Sequence, residues 1–374
     1  MEQEVTPAPF LEIFMAKPFD LSKLRTSLTK AIGGTIGFHD PKTWIHTGNY
    51  CLNFLISGDF FRGVPLGKVT LLAGATGGGK SLIASGNVVK HAQEMGILVV
   101  MVDSENALDE SWLQALGVDT SPDKLIRVCA SMVNEVAEII QHVMDGYKAT
   151  PEADRPKLLF VIDSLSMLTT PIAAEQFAKG DLKGDMGHLP KQLKALVKNC
   201  VNQFGQYEVG MICTNHTYAS QDMYNPDDKV SGGSGPLYAA SIAIGMKPAK
   251  LKTDAEGNKV TDVRGIRSKC TVIKSRYNQP FTSTEINIPW DAGMDPYSGL
   301  FDFFLANGTL VKDGNKYVYT DTQGQVHSHW RKEYLTNVDN ILDQMMKEFD
   351  PKKLKATIDR SADESDEPEV VEYE

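Results

Sequence analysis

Gly74-Ala75-Thr76-Gly77-Gly78-Gly79-Lys80-Ser81 matches the pattern G-x-x-x-x-G-K-[ST] of a phosphate-binding loop. Its flanks decide the fold. Lys68 to Ala73 is short, apolar and β-branched, as a buried strand should be. Leu82, Ile83, Val88, Val89 and Ala92 follow at helical spacing. Strand, glycine turn and helix form the setting such a loop requires. The glycines let backbone N–H groups turn inward around an anion. The helix that follows adds partial positive charge at its N-terminus. Lys80 is placed to reach β- and γ-phosphates, and the Ser81 hydroxyl to ligate Mg²⁺.

A second stretch completes that chemistry. Leu158 to Ile162 is a continuous apolar run ending in Asp163-Ser164. Such a run reads as a central parallel strand, buried on both faces. An acid at its exit, about eighty residues after the loop, is the expected holder of Mg²⁺ and its waters. Further strands are predicted at Ile97–Val102, Leu125–Cys129, Val209–Cys213 and Thr271–Ile273. A helix is predicted over Val133–Tyr147, where Val136, Ile139, Ile140 and Val143 keep helical period. Strands alternating with helices imply an α/β doubly wound, mostly parallel sheet with ligands at the strands' carboxyl ends. Three features fall on that edge: Glu105, the pair Asn215-His216, and the basic residues Lys274 and Arg276.

The chain has 374 residues, 42 % of them hydrophobic, enough for a sizeable core. No apolar run approaches the roughly 20 residues that span a bilayer, so no membrane role is expected. The acidic start Met1-Glu2-Gln3-Glu4 lacks a signal-peptide layout, and a cytoplasmic location is expected. Cys51, Cys129, Cys200, Cys213 and Cys270 are scattered, which suits reduced thiols. His327-x-His329 reads as a solvated strand face. The net charge is −10, but the segment from Asp359 to Glu374 sets eight acids against Arg360 alone and carries −7 of it. A body at −3 can still hold a basic groove.

At the N-terminus, Asp20 is positioned to cap a helix with a stripe of Leu21, Leu24, Leu28 and Ile32, ending at Gly33-Gly34. One short stripe makes no core of its own, so residues 1–45 are expected to dock on the main domain or a neighbouring subunit. Two long segments resist regular assignment: Gln176–Pro190, with Lys183, and Tyr218–Pro236, with Tyr224, Lys229, Gly232 and Gly233. Long loops in compact domains are usually functional or disordered. Asp254–Lys259 reads as a hairpin turn, and Asp363–Glu374 as disordered.

Taken together, several stretches resemble the RecA family. They are Asp103-Ser104-Glu105-Asn106-Ala107-Leu108-Asp109, the Asp163-Ser164 strand end, and Gly232-Gly233 closing a long loop. Asn215–Met223, Gly232–Tyr238 and Asp295–Leu300 narrow the resemblance to the T-even phage branch of that family. It covers about Thr47 to Asp302. The implied organisation is an N-terminal docking segment at 1–45, an ATPase core at 46–302, a C-terminal region at 303–358 and an acidic tail at 359–374.

The resemblance implies roles. Glu105 is the general base for the attacking water, with Lys80 on the phosphates. Trp112 stacks on adenine. His216 stands where the family senses the γ-phosphate, often with Gln; a His there makes the coupling pH-sensitive. Lys274 and Arg276 reach the nucleotide of the adjacent subunit. The two loops, with Lys183, Tyr224, Lys229, Gly232 and Gly233, bind DNA near a filament axis. The implied function is an ATP- and Mg²⁺-dependent strand-exchange recombinase. Its implied partners are single-stranded DNA, homologous duplex, further copies in a helical filament, a single-strand-binding protein and a loading mediator. A ring helicase of the same fold and a nucleotide-gated scaffold are the rival readings.

Overall fold

The computed structural model describes residues 20–32, 40–181, 187–218, 229–279 and 282–351. Lys183, Tyr224 and the acidic tail therefore lie outside the described residues. The chain falls into two compact units, Met1–His39 and Asp40–Glu374. The first contains α1 (Leu21–Ile32). Asp20 caps it as expected, its Oδ1 accepting from the backbone N–H groups of Ser22 (3.0 Å) and Lys23 (3.1 Å). The second unit starts before the expected boundary at 45/46. Its first strand, β1 (Trp44–Ile45), pairs antiparallel with β2 (Val64–Pro65), and Ile45 is fully buried. Between them lies α2 (Tyr50–Ser57), capped by Asn49.

The main sheet is built from β3 (Val69–Gly74), β4 (Leu98–Asp103), β5 (Leu125–Cys129), β6 (Leu158–Asp163), β7 (Gly210–Tyr218), β8 (Lys229–Val230), β9 (Ile242–Leu251), β10 (Gly265–Lys274) and β11 (Ser283–Pro289). Its order is β11-β10-β9-β3-β7-β6-β4-β5, with β8 pairing with β7. From β9 to β5 every neighbour is parallel; β10 and β11 extend the sheet antiparallel. The phosphate-loop helix opens with a π-helical turn, Leu82–Asn87, before α3 (Val88–Glu94). After it come α4 (Glu110–Ala115), α5 (Val133–Ala149), α6 (Pro171–Ala178), α7 (His188–Tyr207) and α8 (Gly235–Ala239).

Both faces of the sheet are covered, which is why its strands read as unbroken apolar runs. Along β6, Leu159 and Val161 face one core together with Ile83, Val88 and Ala92. Phe160 and Ile162 face the other, with Val136 and Ile140 of α5 and Leu193, Leu196 and Phe204 of α7.

Several segments are more regular than expected. Gln176–Ala178 belong to α6, and Lys229–Val230 and Gly235–Ala239 form β8 and α8. β7 runs through Asn215 and His216, and β10 through Lys274, so these residues sit within strand ends rather than after them. The hairpin at Asp254–Lys259 is present, closed by a Thr253–Lys259 bridge.

The C-terminal part comprises α9 (Leu300–Ala306), a three-stranded antiparallel sheet of β12 (Leu310–Asp313), β13 (Lys316–Thr320) and β14 (Val326–His329), then α10 (Arg331–Leu335) and α11 (Ile341–Glu348). The boundary expected at 302/303 falls inside α9. The core here joins Phe301, Phe304, Tyr319, Tyr334 and Met345 to Cys51, Phe54 and Phe60. α2 thus serves two cores, because Leu52, Leu55 and Ile56 point at the main sheet instead. His327 and His329 are not a solvated face. His327 Nε2 lies 3.1 Å from Asp321 Oδ2, and His329 Nδ1 lies 3.8 Å from Glu333 Oε2. Among the described residues no group of three or more candidate ligands could hold a metal ion. No described helix is long and apolar enough to cross a membrane.

Phe160 stacks on Phe204 with ring centroids 5.4 Å apart and planes 6° from parallel. Both are fully buried. Phe160→Ala is expected to destabilise the protein by about 3–5 kcal/mol, read from a urea unfolding curve.

Candidate functional site

The loop Gly74–Ser81 leaves the end of β3 and enters the helix at Ser81, whose backbone is already α-helical. Gly77 and Gly79 take positive φ of +77° and +87°. At Gly79 a Cβ would also lie 2.4 Å from Ile288 Cδ1 of β11, so a side chain there would strain the backbone and push the Ile288 tip aside. At Gly77 a Cβ would meet nothing within 4 Å, which leaves the crest of the loop open to a ligand. Lys80 is only 5 % exposed; its Nζ donates to the carbonyls of Gly74 and Ala75, each at 2.9 Å. Burial pushes the Lys80 ammonium below its usual range, while the nearby Asp163 and Glu105 carboxylates pull the other way.

Parallel pairing brings the acids beside this loop. Gly74 is level with His216 on β7, and Asp103 on β4 with Asp163 on β6. Asp163 is 3 % exposed and held by two hydroxyls: Ser85 donates to Oδ2 at 2.9 Å and Thr214 to Oδ1 at 2.5 Å. Glu105 Oε1 accepts from Ser164 Oγ at 2.8 Å and meets His216 Nε2 at 2.9 Å. His216 Nδ1 faces Thr76 Oγ1 at 3.5 Å. With Nε2–H donating to the carboxylate, Nδ1 is left as an acceptor for the Thr76 hydroxyl. The side chain at the expected phosphate-sensing position thus links the loop to the expected base. Ammonium, backbone N–H groups and a helix start suit a polyphosphate, and hydroxyl with carboxylate oxygens suits Mg²⁺. Ser81 and Asp163 are the residues that would hold the ion. Trp112, on α4, is half-buried against the core on the phosphate-loop helix side of the sheet. Asp109 caps α4 through the Trp112 N–H at 3.1 Å.

The loop residues within the described part gather on α7. A Cβ on Gly232 would lie 2.7 Å from Leu193 Cδ1, and one on Gly233 3.3 Å from Pro190 Cβ. Lys229 sits on β8, level with Tyr218 of β7. A cavity of about 720 Å³ opens there, bordered by Lys229, Lys247, Lys269, Tyr218 and Tyr238. Lys274 donates to the carbonyls of Tyr238 and Ala240, the latter at 2.6 Å, and so closes the C-terminal end of α8. Burial, then the neighbouring Arg276, lowers its pKa. Arg276 itself is exposed.

Sequence reasoning missed several of these groups. Ser85 and Thr214 hold the Asp163 carboxylate but carry no motif of their own, and Ser164, though part of the Asp163-Ser164 strand end, gives no sequence sign that it meets Glu105. Lys191, Lys194 and Lys198 form an exposed stripe on α7; their helical spacing was a readable signal. Lys247 and Lys269 stand opposite one another across β9 and β10, a pairing only the register reveals.

The RecA N-terminal domain family model matches residues 39–295. The chain is 26 % identical over 295 residues to the recombination and repair protein of Enterobacteria phage T4, covering 79 % of this chain and 70 % of that one. It is 26 % identical over 347 residues to Protein RecA of Rhodococcus opacus (strain B4), covering 90 % of each. Protein RecA of Rhodococcus jostii (strain RHA1) is 26 % identical over 326 residues, covering 84 % of this chain and 85 % of that one.

Thr214→Val removes one of the two hydroxyls on Asp163 while keeping the side-chain shape. Nucleotide hydrolysis is expected to fall about tenfold, or ~1.4 kcal/mol in the barrier, and to need more Mg²⁺ for half-maximal rate. A Mg²⁺ titration of phosphate release checks this; an unchanged curve would mean that Thr214 does not position the acid.

Proposed function

The chain belongs to the RecA family, and from that premise we propose that it is an ATP-dependent DNA strand-exchange recombinase acting as a helical filament on single-stranded DNA. The observation that carries this reading is the shared sheet edge. The Gly74–Ser81 loop, Asp163, Glu105 and His216 lie at the carboxyl ends of β3, β6, β4 and β7. The lysine-bordered cavity opens on the same edge, lined by Ala73 and Gly74 themselves. Nucleotide and strand are then read by adjoining faces of one set of strand ends.

Each residue has a part. Lys80 leaves its two loop carbonyls to meet β- and γ-phosphate oxygens, and the loop N–H groups bind the rest. Ser81 and Asp163 would hold Mg²⁺, which when bound would neutralise charge on the phosphate oxygens. Glu105 orients and polarises the attacking water, with Ser164 and His216 fixing its Oε1. Trp112 provides an aromatic face for adenine. Lys274 and Arg276 act on the nucleotide of an adjacent protomer, so hydrolysis needs assembly. Lysines 191, 194, 198, 229, 247 and 269 neutralise DNA phosphates, and homology is read by base pairing alone. The finer partners follow from this reading: homologous duplex, a single-strand-binding protein and a loading mediator.

Lys80→Ala is expected to abolish ATP-dependent assembly on single-stranded DNA, as seen by electron microscopy. Strand exchange at the wild-type rate would overturn the assigned loop. Mixing Lys274→Ala with Glu105→Ala protomers in equal amounts should recover hydrolysis at on the order of a quarter of the interfaces. No recovery at any ratio would count against a site shared between protomers.

A further inference from the structure

The loop that carries Glu105 is short, and Arg127 pairs with the acid at its start while adding charge near the acid at its end. β5 is the edge strand, and Met101 of β4 is level with Arg127 of β5, Asp103 with Cys129. Arg127 and Asp103 therefore share a sheet face, and the guanidinium reaches diagonally: Nη2 lies 2.6 Å from Asp103 Oδ2. The Asp103 side chain is fully buried and the Arg127 side chain 38 % exposed. The same Oδ2 accepts from the Leu108 N–H at 3.2 Å, which closes the loop over residues 104–107. Asp103 Oδ1 is buried and has no hydrogen-bond partner among the described residues, and Arg127 is the cation paired with this carboxylate among them. At the far end of the loop, Asp109 caps α4; its carboxyl is held below the usual range first by Ser111, with Arg127 adding in the same direction. Glu105 lies between these anchors, aimed at Ser164 and His216.

We infer that Arg127 is a positioning residue for Glu105: by neutralising Asp103 it keeps the Ser104–Leu108 loop closed in the one shape that presents the base to the nucleotide. The inference rests on the hydrolytic role of Glu105 given above. A buried carboxylate stripped of its cation is an uncompensated charge, and the loop it fixes loses its anchor. A base displaced by about 1 Å costs up to about a hundredfold in rate without weakening substrate binding.

The test is steady-state ATP hydrolysis by the full chain with single-stranded DNA. Arg127→Leu is expected to lower kcat roughly ten- to hundredfold with KM for ATP within about twofold. Arg127→Lys, which keeps the charge, should recover most of kcat. If Arg127→Leu does not fold, Arg127→Gln takes its place, with the same split between kcat and KM. A folded Arg127→Leu or Arg127→Gln protein with wild-type kcat, beside an inactive Glu105→Ala, overturns the positioning role and leaves the site intact. A loss that tracks only the melting temperature and is not rescued by lysine also overturns it. Wild-type hydrolysis by Glu105→Ala overturns the site assignment and this inference together.

Discussion

Parallel pairing of four strands that end at one level is the constraint everything else rests on. β3, β7, β6 and β4 lie side by side, with Gly74 beside His216 and Asp163 beside Asp103. A parallel ladder sets all carboxyl ends on one edge, so the Gly74–Ser81 loop, Asp163 and Glu105 converge there without any long side chain having to reach. Slipping β6 by one residue would turn Asp163 to the opposite face. That slip would take the buried carboxylate away from the Ser85 and Thr214 hydroxyls that satisfy it.

Convergence has an electrostatic cost, and the surroundings are arranged to meet it. Lys80, Asp163 and Asp103 are buried charges. Each is matched: Lys80 by loop carbonyls, Asp163 by two hydroxyls, Asp103 by Arg127 and a backbone N–H. Glu105 stays partly accessible, as the role proposed for it requires. The site is thus a set of short, mutually limiting hydrogen bonds, in which moving one oxygen disturbs the next.

The edge that carries the Gly74–Ser81 loop also borders the lysine-rich cavity. α8 lies against the start of α7 beneath the glycine pair, and Lys274 caps α8 from β10. One cation from the antiparallel extension is therefore in contact with the helix that leaves the second long loop. The C-terminal region is joined to the same body through α2, whose opposite sides fill two cores. That sharing explains why a cut at residue 302, natural in a linear reading, runs through a helix.

Much of this was legible in the residues themselves. The Gly74–Ser81 pattern, the apolar run into Asp163 and the cap at Asp20 are local: each depends on neighbours along the chain, and each stands in the structure as read. Histidines 327 and 329 were misread, and the strand lengths at Asn215 and Lys274 underestimated, because pairing with a distant partner extends a strand or half-buries an imidazole beyond what local composition signals. Ser85, Thr214 and Arg127 could not be found by pattern. A hydroxyl or guanidinium gains its role only when another strand puts a carboxylate within about 3 Å. The sequence by itself determined the strand, glycine turn and helix around Gly74–Ser81 and the buried strand that ends in Asp163. The tertiary structure alone decided which side chains hold the charged groups still, because strand order and register, not spacing along the chain, set the distances between them.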